Sequence, residues 1–309
     1  MAREQRDILQ APPPEQPPWL TARRIGIHTS TAGGVETAAE RAWRLGSNTL
    51  QIFSASPRQW QAAALAPAQC AAMRAAREQH DLRPLVIHAG YLLNLAAASD
   101  EFYGKTISAF RGEAERGLAL GAEYLVVHPG SFRGMSQEAG LERAAAGIRQ
   151  ATAGLDLAGG GLTVLIENTA GSEFSLGGSF AQVAALVAAL RQIVPCAACL
   201  DTCHMHVAGY DIVSEEGYNA TLAEIDQTIG LNHVPVWHCN DARAPCGSHL
   251  DRHEQIGRGT IGLEPFRRLL NEARLKDAAF IAETPIDQPG DDARNVEALK
   301  RLVADAPRR

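Results

Sequence analysis

The sequence lacks several features that would assign it to a broad class. No apolar run reaches the about 18 residues that a membrane-spanning helix needs, so no membrane association is expected. The first 22 residues have no apolar core of the kind found in secretion signals. There is no basic excess, because 29 Lys and Arg face 35 Asp and Glu, a formal net charge of −6. This balance argues against a broad basic surface but leaves room for a local cluster of arginines.

Cysteine is present without a zinc-ribbon pattern. Of the six cysteines, Cys196 and Cys199 form a CxxC, but no second CxxC or paired histidine follows at the required spacing. Reduced and largely buried thiols in a cytoplasmic protein are therefore expected. A redox or structural-zinc role is the less favoured alternative.

The first 22 residues also lack a helix-compatible pattern, since five prolines fall between residues 12 and 18. Proline removes a backbone donor and fixes φ, so an extended or disordered arm is expected over residues 1–22. Residues 23–309 are long enough for a single catalytic barrel domain, and a hydrophobic content of 46% allows a substantial core.

Eight short β-prone runs recur along the chain, each followed by a segment of helical length. They occupy residues 24–30, 48–54, 84–90, 124–130, 162–169, 197–203, 233–241 and 279–285. Most are continuous apolar runs, as parallel strands covered on both faces require. This order predicts a (β/α)8 TIM barrel of the α/β class. A doubly wound open sheet is the alternative, but the loop after the first run, HTSTAGGVE, lacks the GxGxxG that it would need.

Imidazoles or carboxylates end seven of these eight runs. The terminal residues are, in chain order, His28, Ser54, His88, His128, Glu167, Asp201, His238 and Glu283. A single residue of this kind is more often a helix cap or a buried hydrogen-bonded group than a ligand. The C-terminal ends of barrel strands share one mouth, however, and carboxylates crowded there repel one another unless cations lie between them. A metal site is therefore predicted.

Two later segments add candidate ligands. His204 follows Asp201 by three residues, and Asp251 and His253 form a D-x-H pair whose side chains point the same way in an extended chain. The full set of candidates is His88, His128, Glu167, Asp201, His204, His238, Asp251, His253 and Glu283. Each zinc ion takes about four ligands, so the set suits three ions if one carboxylate bridges two of them. The mixed donors suit Zn²⁺, with Mn²⁺ or Fe²⁺ as alternatives at some sites.

The motifs around these residues resemble those of the endonuclease IV family, also called apurinic/apyrimidinic (AP) endonuclease family 2. The matching segments are GIHTSTAGG (26–34), RQW (58–60), HAGYLLNLA (88–96), HPGS (128–131), IENTAG (166–171), DTCHMHVAGYD (201–211), HCNDAR (238–243), DRHEQIGRGTIG (251–262) and ETP (283–285). The resemblance implies a xylose-isomerase-like barrel that holds three zinc ions. The implied ligand sets are His88, His128 and bridging Glu167; Glu167, Asp201, His238 and Glu283; and His204, Asp251 and His253. His28 and His206 fall outside them and are expected to lie near the site without binding metal.

The resemblance further implies a metal-dependent DNA-repair endonuclease, a hydrolase of base excision repair. Its substrate would be double-stranded DNA with an abasic site, cut 5′ to the lesion to leave a 3′-hydroxyl and a 5′-deoxyribose phosphate. Glu167, Asp201 and Glu283 would act as the ligands that hold the attacking hydroxide. A monomer is expected, in the cytoplasm of a bacterial-type cell and at the nucleoid through its substrate.

Three side chains are implied to bind DNA at the lesion: Arg58, Gln59 and Tyr91. Taken without the resemblance, RQW is better explained as an ordinary helix start with an exposed Arg58 and a buried Trp60. Pro57, where a polar residue is common in the family, is expected to stiffen the loop, and Ala89–Gly90 replaces a pair that is commonly bulkier. Phosphate contacts are expected from the arginines Arg58, Arg243, Arg252 and Arg258.

Two other functions fit part of the pattern. A sugar isomerase or epimerase on the same barrel would hold one divalent ion with the four ligands assigned above to the second zinc. That function leaves His88, His128, His204 and the D-x-H pair unexplained. A barrel that binds metal only for stability and serves as a binding module would keep its function after Glu167→Gln.

Overall fold

A closed barrel of eight parallel strands forms the centre of the structure, a computed structural model that describes residues 7–12 and 14–304. The strands in these residues are β1 (Arg24–His28), β2 (Thr49–Ile52), β3 (Leu85–His88), β4 (Tyr124–Val127), β5 (Thr163–Glu167), β6 (Cys196–Asp201), β7 (Val236–His238), β8 (Asp241–Ala242), β9 (His253–Glu254) and β10 (Ala279–Ala282). Strands β1 to β7 and β10 pair in parallel, and β10 closes the ring between β7 and β1. The predicted TIM barrel is confirmed. Strands β8 and β9 form a separate antiparallel pair after β7.

Helices surround the barrel and follow its strands. In the described residues they are α1 (Thr37–Arg44), α2 (Pro67–His80), α3 (Asp100–Leu120), α4 (Gln137–Thr152), α5 (Phe180–Leu190), α6 (Thr202–Ala208), α7 (Glu215–Thr228), α8 (Leu263–Asn271) and α9 (Asp291–Leu302). Serine side chains cap the starts of α3, α4, α5 and α7 by accepting a backbone N–H from the first turn. No helix within residues 7–12 and 14–304 is long and apolar enough to cross a membrane.

The inside of the barrel explains why the predicted ligands point into its mouth. A small apolar cluster fills it, separate from the larger core between strands and helices, and consists of Val86, Val126, Leu165, Ala197, Cys199, Val236 and Ile281. Side chains along a strand alternate between faces. Six of these residues lie two positions before a candidate ligand, as Val86 lies before His88 and Leu165 before Glu167. The ligands therefore share the inward face of their strands.

The cysteines are all free thiols, and four of the six are buried. Burial raises the pKa of both Cys196 and Cys199 to about 12, so these two carry their protons at neutral pH. Neither belongs to a group of three or more potential metal ligands in the described part of the chain. The CxxC is thus part of the β6 packing.

The described residues of the N-terminal arm, 7–12 and 14–22, contact the barrel. The Asp7 carboxylate pairs with the buried guanidinium of Arg41 on α1, and the Trp19 Nε1 donates to Glu297 Oε2 on α9 at 3.0 Å. One 3₁₀ turn, Ile8–Gln10, is the regular element that the structure assigns in this stretch. The boundary between the arm and a catalytic domain stays a prediction.

Candidate metal centre

Glu167 lies in the middle of the predicted ligands. It ends β5, is fully buried, and faces four imidazoles. Its Oε2 atom lies 3.2 Å from His88 Nε2 and 3.1 Å from His128 Nε2. Its Oε1 atom lies 2.9 Å from His238 Nδ1 and 3.5 Å from His204 Nδ1. One buried carboxylate thus connects histidines from three strands and helix α6.

Two aspartates form the other side of the cluster. Asp251 Oδ2 lies 3.3 Å from His204 Nε2, and Asp251 Oδ1 lies 3.3 Å from His253 Nε2. The same His253 nitrogen lies 3.7 Å from Asp201 Oδ2. The Glu283 carboxylate, directly after β10, lies 3.2 Å from the histidine that ends β7. All nine predicted ligands therefore lie in one cluster at the C-terminal ends of the strands.

Four groups within this cluster have ligand atoms within 4.8 Å of one another. They are His88, His128 and Glu167; Glu167, Asp201, His238 and Glu283; Asp201, His204 and His253; and Cys203, Asp251 and His253. The first two are the sets that the family resemblance implies. The third implied set does not appear as one group. His204 and His253 group with Asp201, whereas Asp251 and His253 group with the Cys203 thiol. Cys203 was not among the sequence candidates, although it lies inside the DTCH motif.

Mutual attraction between imidazoles and carboxylates dominates the charge state of the cluster. Burial opposes a charge on His204, but Asp201, Asp251 and Glu167 outweigh it and raise the pKa of this imidazole to about 10. Burial likewise opposes ionisation of Glu167, yet His128 and His238 lower its pKa well below the usual value. With its pKa raised, the His204 imidazole favours its protonated form at neutral pH. A divalent cation binds the unprotonated imidazole, so its binding weakens as the pH falls.

The donor set fits divalent cations. Five imidazoles and four carboxylates are what Zn²⁺ and related ions bind in proteins. The Nε2 atom of His253 is buried and has no hydrogen-bond partner among the described residues. A buried nitrogen that faces two carboxylates without a hydrogen bond is the arrangement expected where a cation binds between them.

The turn from β6 into α6 places two ligands from one short segment. Asp201 ends β6 in an extended conformation and is also the N-cap of α6, where its Oδ1 accepts the His204 backbone N–H at 2.9 Å. The helix then turns His204 towards Glu167 and His206 away from it. The His206 Nε2 lies 3.1 Å from the Thr260 hydroxyl. This agrees with the prediction that His206 lies outside the ligand set.

Gln51 is a site residue that the sequence analysis missed. It lies in the middle of β2, fully buried, and its Oε1 atom is 2.8 Å from His238 Nε2. Its amide nitrogen contacts Glu283 Oε1 and lies 3.0 Å from His28 Nδ1. Gln51 therefore fixes the orientation of two predicted ligands, and His28 lies beside the site as predicted. The sequence signal was an amide side chain between the apolar residues Leu50 and Ile52 of β2.

Gln51→Leu is expected to lower zinc affinity by about 10–100-fold, because His238 and Glu283 lose the partner that orients them. Competition with a fluorescent zinc chelator measures this affinity. Gln150→Leu, on the exposed face of α4, is the control and should not change it. Equal zinc affinity in the Gln51 variant and the wild type would contradict the orienting role.

Of the three predicted DNA-binding side chains, Tyr91 lies at the mouth, and Arg58 and Gln59 lie on the neighbouring loop. Arg58 and Gln59 are exposed, and the Tyr91 side chain is 66% exposed although its ring lies edge-on to Phe53 at 5.1 Å. Tyr91 also lines a cavity of about 370 Å³ together with six of the predicted ligands. Tyr91 can therefore contact a molecule that enters the mouth, and Arg58 and Gln59 are open to solvent on the adjoining loop.

The arginines expected to bind phosphate differ in whether their side chains already have partners within the protein. Arg258 is exposed, and its side chain makes no hydrogen bond or ion pair to any residue in the described ranges. Arg243 instead lies 3.0 Å from Glu254 and 3.2 Å from Asp287. Arg252 donates to the Asp251 carbonyl at 2.7 Å. Arg243 is thus already neutralised by carboxylates within the protein.

Asp241 is another fully buried carboxylate, and it accepts hydrogen bonds from backbone N–H groups and not from the predicted metal ligands. Its two oxygens accept the backbone N–H groups of Ala242, Gly257, Gly259, Ile261 and Gly262, at 2.8 to 3.3 Å. A Cβ on Gly259 would lie 2.4 Å from Asp241 Oδ1, so only glycine fits there. This carboxylate therefore fixes the GRGTIG segment that presents Arg258.

Comparisons with known proteins agree with this geometry. Residues 39–303 match the family described as Xylose isomerase-like TIM barrel. A protein named "Probable endonuclease 4" from Solibacter usitatus (strain Ellin6076) is 51% identical over 283 residues, which are 91% of this chain and 97% of that one. The crystal structure of endonuclease IV from Thermus thermophilus matches with a TM-score of 0.79 and 40% identity, over 90% of this chain and 98% of that one.

A sugar-epimerase structure shares the fold alone. The crystal structure of a D-tagatose 3-epimerase-like protein matches with a TM-score of 0.66 but only 19% identity, over 90% of this chain and 96% of that one. An identity this low shows that the two proteins share the barrel fold and says nothing about activity. The much higher identity to the endonuclease relatives covers nearly the whole length of both chains. The chain therefore belongs to the endonuclease IV family of xylose isomerase-like TIM barrels.

Proposed function

We propose that this protein is a metal-dependent AP endonuclease of DNA repair, which hydrolyses the backbone of double-stranded DNA 5′ to an abasic site. The products are a 3′-hydroxyl and a 5′-deoxyribose phosphate. The observation that carries the proposal is the meeting of nine candidate metal ligands, Glu167 among them, in one cluster of a chain of this family.

Three zinc ions are proposed as the cofactor, with Mn²⁺ or Fe²⁺ as alternatives at some sites. The proposed ligands are His88, His128 and Glu167 for one ion; Glu167, Asp201, His238 and Glu283 for the second; and His204, Asp251 and His253 for the third. The proximity of Asp201 and Cys203 to the third set adds two donors that could share that ion. Bound divalent cations supply an activated water and offset the charge that develops on phosphorus.

The protein side chains position the cations and the substrate. Glu167, Asp201 and Glu283 hold their cations in a mouth whose floor is the apolar barrel interior, which excludes water from below. Arg58, Gln59 and Tyr91 are proposed to enter the DNA at the lesion, since apolar and basic side chains inserted between base steps hold a bent duplex open. A nucleotide without a base costs less to move out of the stack, which favours abasic sites as substrate.

A single-metal sugar isomerase or epimerase is the second candidate. The group of Glu167, Asp201, His238 and Glu283 would suffice for its one ion. That function gives no role to the imidazoles of His88 and His128, which both contact Glu167, or to the pairing of Asp251 with two histidines. The nuclease uses all of them and is therefore preferred. The monomeric state and the cytoplasmic location stay predictions.

Incision of an abasic duplex tests the proposal. Purified protein is incubated with a duplex that carries one abasic analogue, before and after removal of metal by a strong zinc chelator and again after zinc is restored. Cutting directly 5′ to the analogue, its loss of more than about 10³-fold on metal removal and its return with zinc are expected. An intact duplex of the same sequence is the control. Cutting that persists after verified metal removal would refute the mechanism.

A further inference from the structure

Two loops that carry predicted DNA-binding side chains are joined to each other. Loop 2 (residues 53–66) holds Arg58 and Gln59, and loop 3 (residues 89–99) holds Tyr91. The Tyr91 backbone N–H donates to the Pro57 carbonyl at 3.0 Å. This hydrogen bond links the chain just before Arg58 to the backbone of Tyr91.

Gly90 makes this contact possible. A Cβ at Gly90 would lie 3.1 Å from the Pro57 oxygen and 3.3 Å from its Cα, which is tighter than most Cβ contacts, so the Pro57 backbone would have to move by a few tenths of an ångström. The pyrrolidine ring fixes φ of Pro57, so its backbone can yield only a little to a larger neighbour. Pro57 and Gly90 therefore touch, and the small residue provides the space next to the stiff one.

The base of loop 2 is attached to helix α3 by a buried polar network. The Ser54 hydroxyl donates to Glu113 Oε2 and accepts from Arg116 Nε at 2.8 Å. Arg116 also pairs with Glu113 at 3.0 Å. All three side chains are buried. The charges of Glu113 and Arg116 pair with each other, and both side chains also form a hydrogen bond with Ser54, as a buried ion pair requires.

Little else supports the loop from below. A cavity of about 230 Å³ lies between loop 2 and α3, and its lining includes Gln59, Trp60, Gly90, Glu113 and Arg116. Loop 2 has no helix or strand between β2 and α2. The attachments of loop 2 beyond its two ends, where Phe53 packs against Tyr91 and Leu65 packs against the core, are the Ser54 network, the Pro57–Gly90 contact and the edge-on packing of Trp60 against Phe102 at 4.9 Å.

We infer that the Ser54–Glu113–Arg116 network and the Pro57–Gly90 contact hold loops 2 and 3 as one unit that positions Arg58, Gln59 and Tyr91 for lesion recognition. The inference rests on the proposed function and names positioning residues within it. None of the five residues contacts the predicted metal ligands through a hydrogen bond or ion pair in the described structure. They act by positioning Arg58, Gln59 and Tyr91. Such positioning matters because a misplacement of about 1 Å can cost about 10²-fold in rate or binding.

Ser54→Ala tests the buried attachment. The variant should bind the abasic duplex about tenfold more weakly, with a matching rise in KM, while kcat changes by less than about threefold and zinc content stays at the wild-type value. A 2-aminopurine next to the abasic site should also fluoresce less on binding, since the base step is opened less often. Glu123→Gln is the control. It removes an ion pair to the buried Arg77 on α2, near the start of β3 and away from the mouth, and should change none of these values.

Gly90→Ala tests the contact between the loops, alone and together with Pro57→Ala. The single Gly90 variant should lose about tenfold in binding to the abasic duplex. The double variant should recover most of it, because alanine at position 57 lets the backbone move away. This rescue distinguishes positioning from general damage to the fold, and it remains measurable if Ser54→Ala does not fold.

These measurements distinguish a failure of the proposed function from a failure of this inference. If the wild type does not cut abasic DNA, the proposed function fails. If the wild type cuts, and Ser54→Ala and Gly90→Ala bind and cut as it does, only this inference is overturned. It is also overturned if the variants lose zinc or lose kcat with unchanged KM, or if the double variant is no better than Gly90→Ala.

Discussion

Glu167→Gln is expected to reduce the rate of abasic-site incision by about 10³-fold or more. Glutamine has the same shape but no charge, and Glu167 is the one carboxylate among the described residues that contacts four imidazoles of the cluster. The substitution therefore weakens the two ligand groups that share this residue. Single-turnover incision of a duplex with one abasic analogue measures the rate, and mass spectrometry of the metal content should show fewer zinc ions per chain.

Glu272→Gln is the matched control for this variant. Glu272 pairs with Arg274 just before β10, at the end of the barrel away from the mouth. Its substitution should leave both incision rate and zinc content near the wild-type values. Incision by Glu167→Gln within about tenfold of the wild type would contradict the assignment of Glu167 and would favour a barrel in which metal serves stability alone.

Asp241→Ala is expected to destabilise the protein by about 3–5 kcal/mol, which corresponds to a fall in Tm of roughly 5–15 °C. Asp241 is fully buried and accepts five backbone N–H groups, and alanine leaves these donors without a partner. The GRGTIG segment that presents Arg258 should lose its fixed shape. Thermal unfolding followed by circular dichroism measures Tm.

Asp211→Ala provides the comparison. Asp211 also accepts two backbone N–H groups, from Val213 and Ser214, but on an exposed turn where water replaces the lost acceptor. Its substitution should cost less than about 1 kcal/mol. If Asp241→Ala unfolds within about 2 °C of the wild type, the five hydrogen bonds do not stabilise the segment in the way described.

The sequence allowed the barrel and most of the ligand cluster to be predicted, for a simple geometric reason. Parallel strands of a barrel end at the same mouth, and side chains two positions apart share a face. The apolar residues Val86, Leu165 and Ile281 therefore imply that His88, Glu167 and Glu283 point inward. The D-x-H pair required no tertiary information beyond an extended backbone.

Side chains that act through contacts between distant segments were harder to predict. Gln51 was missed because it lies inside the strand and not at its end: β2 places Gln51 inward and Leu50 and Ile52 in the outer core. Ser54, the one strand end without an imidazole or carboxylate, bonds to α3 and not to the mouth. The division of the third ligand set also depends on the path of the loop that carries Asp251, which no local pattern determines.

The N-terminal arm shows a similar limit. Its prolines correctly indicated little helix in the described residues, but the pairing of Asp7 with the buried Arg41 joins positions 34 residues apart. Burial of Arg41 depends on how α1 packs against the barrel. An acidic partner for it could be identified only once the fold was known.

The metal content of untagged protein, loaded with zinc and then freed of weakly bound ions, tests the central claim most directly. If the nine clustered side chains act as proposed, inductively coupled plasma mass spectrometry should find about three zinc ions per chain. A value near one ion per chain would contradict the account, since four ligands would then suffice and the remaining imidazoles would need another purpose.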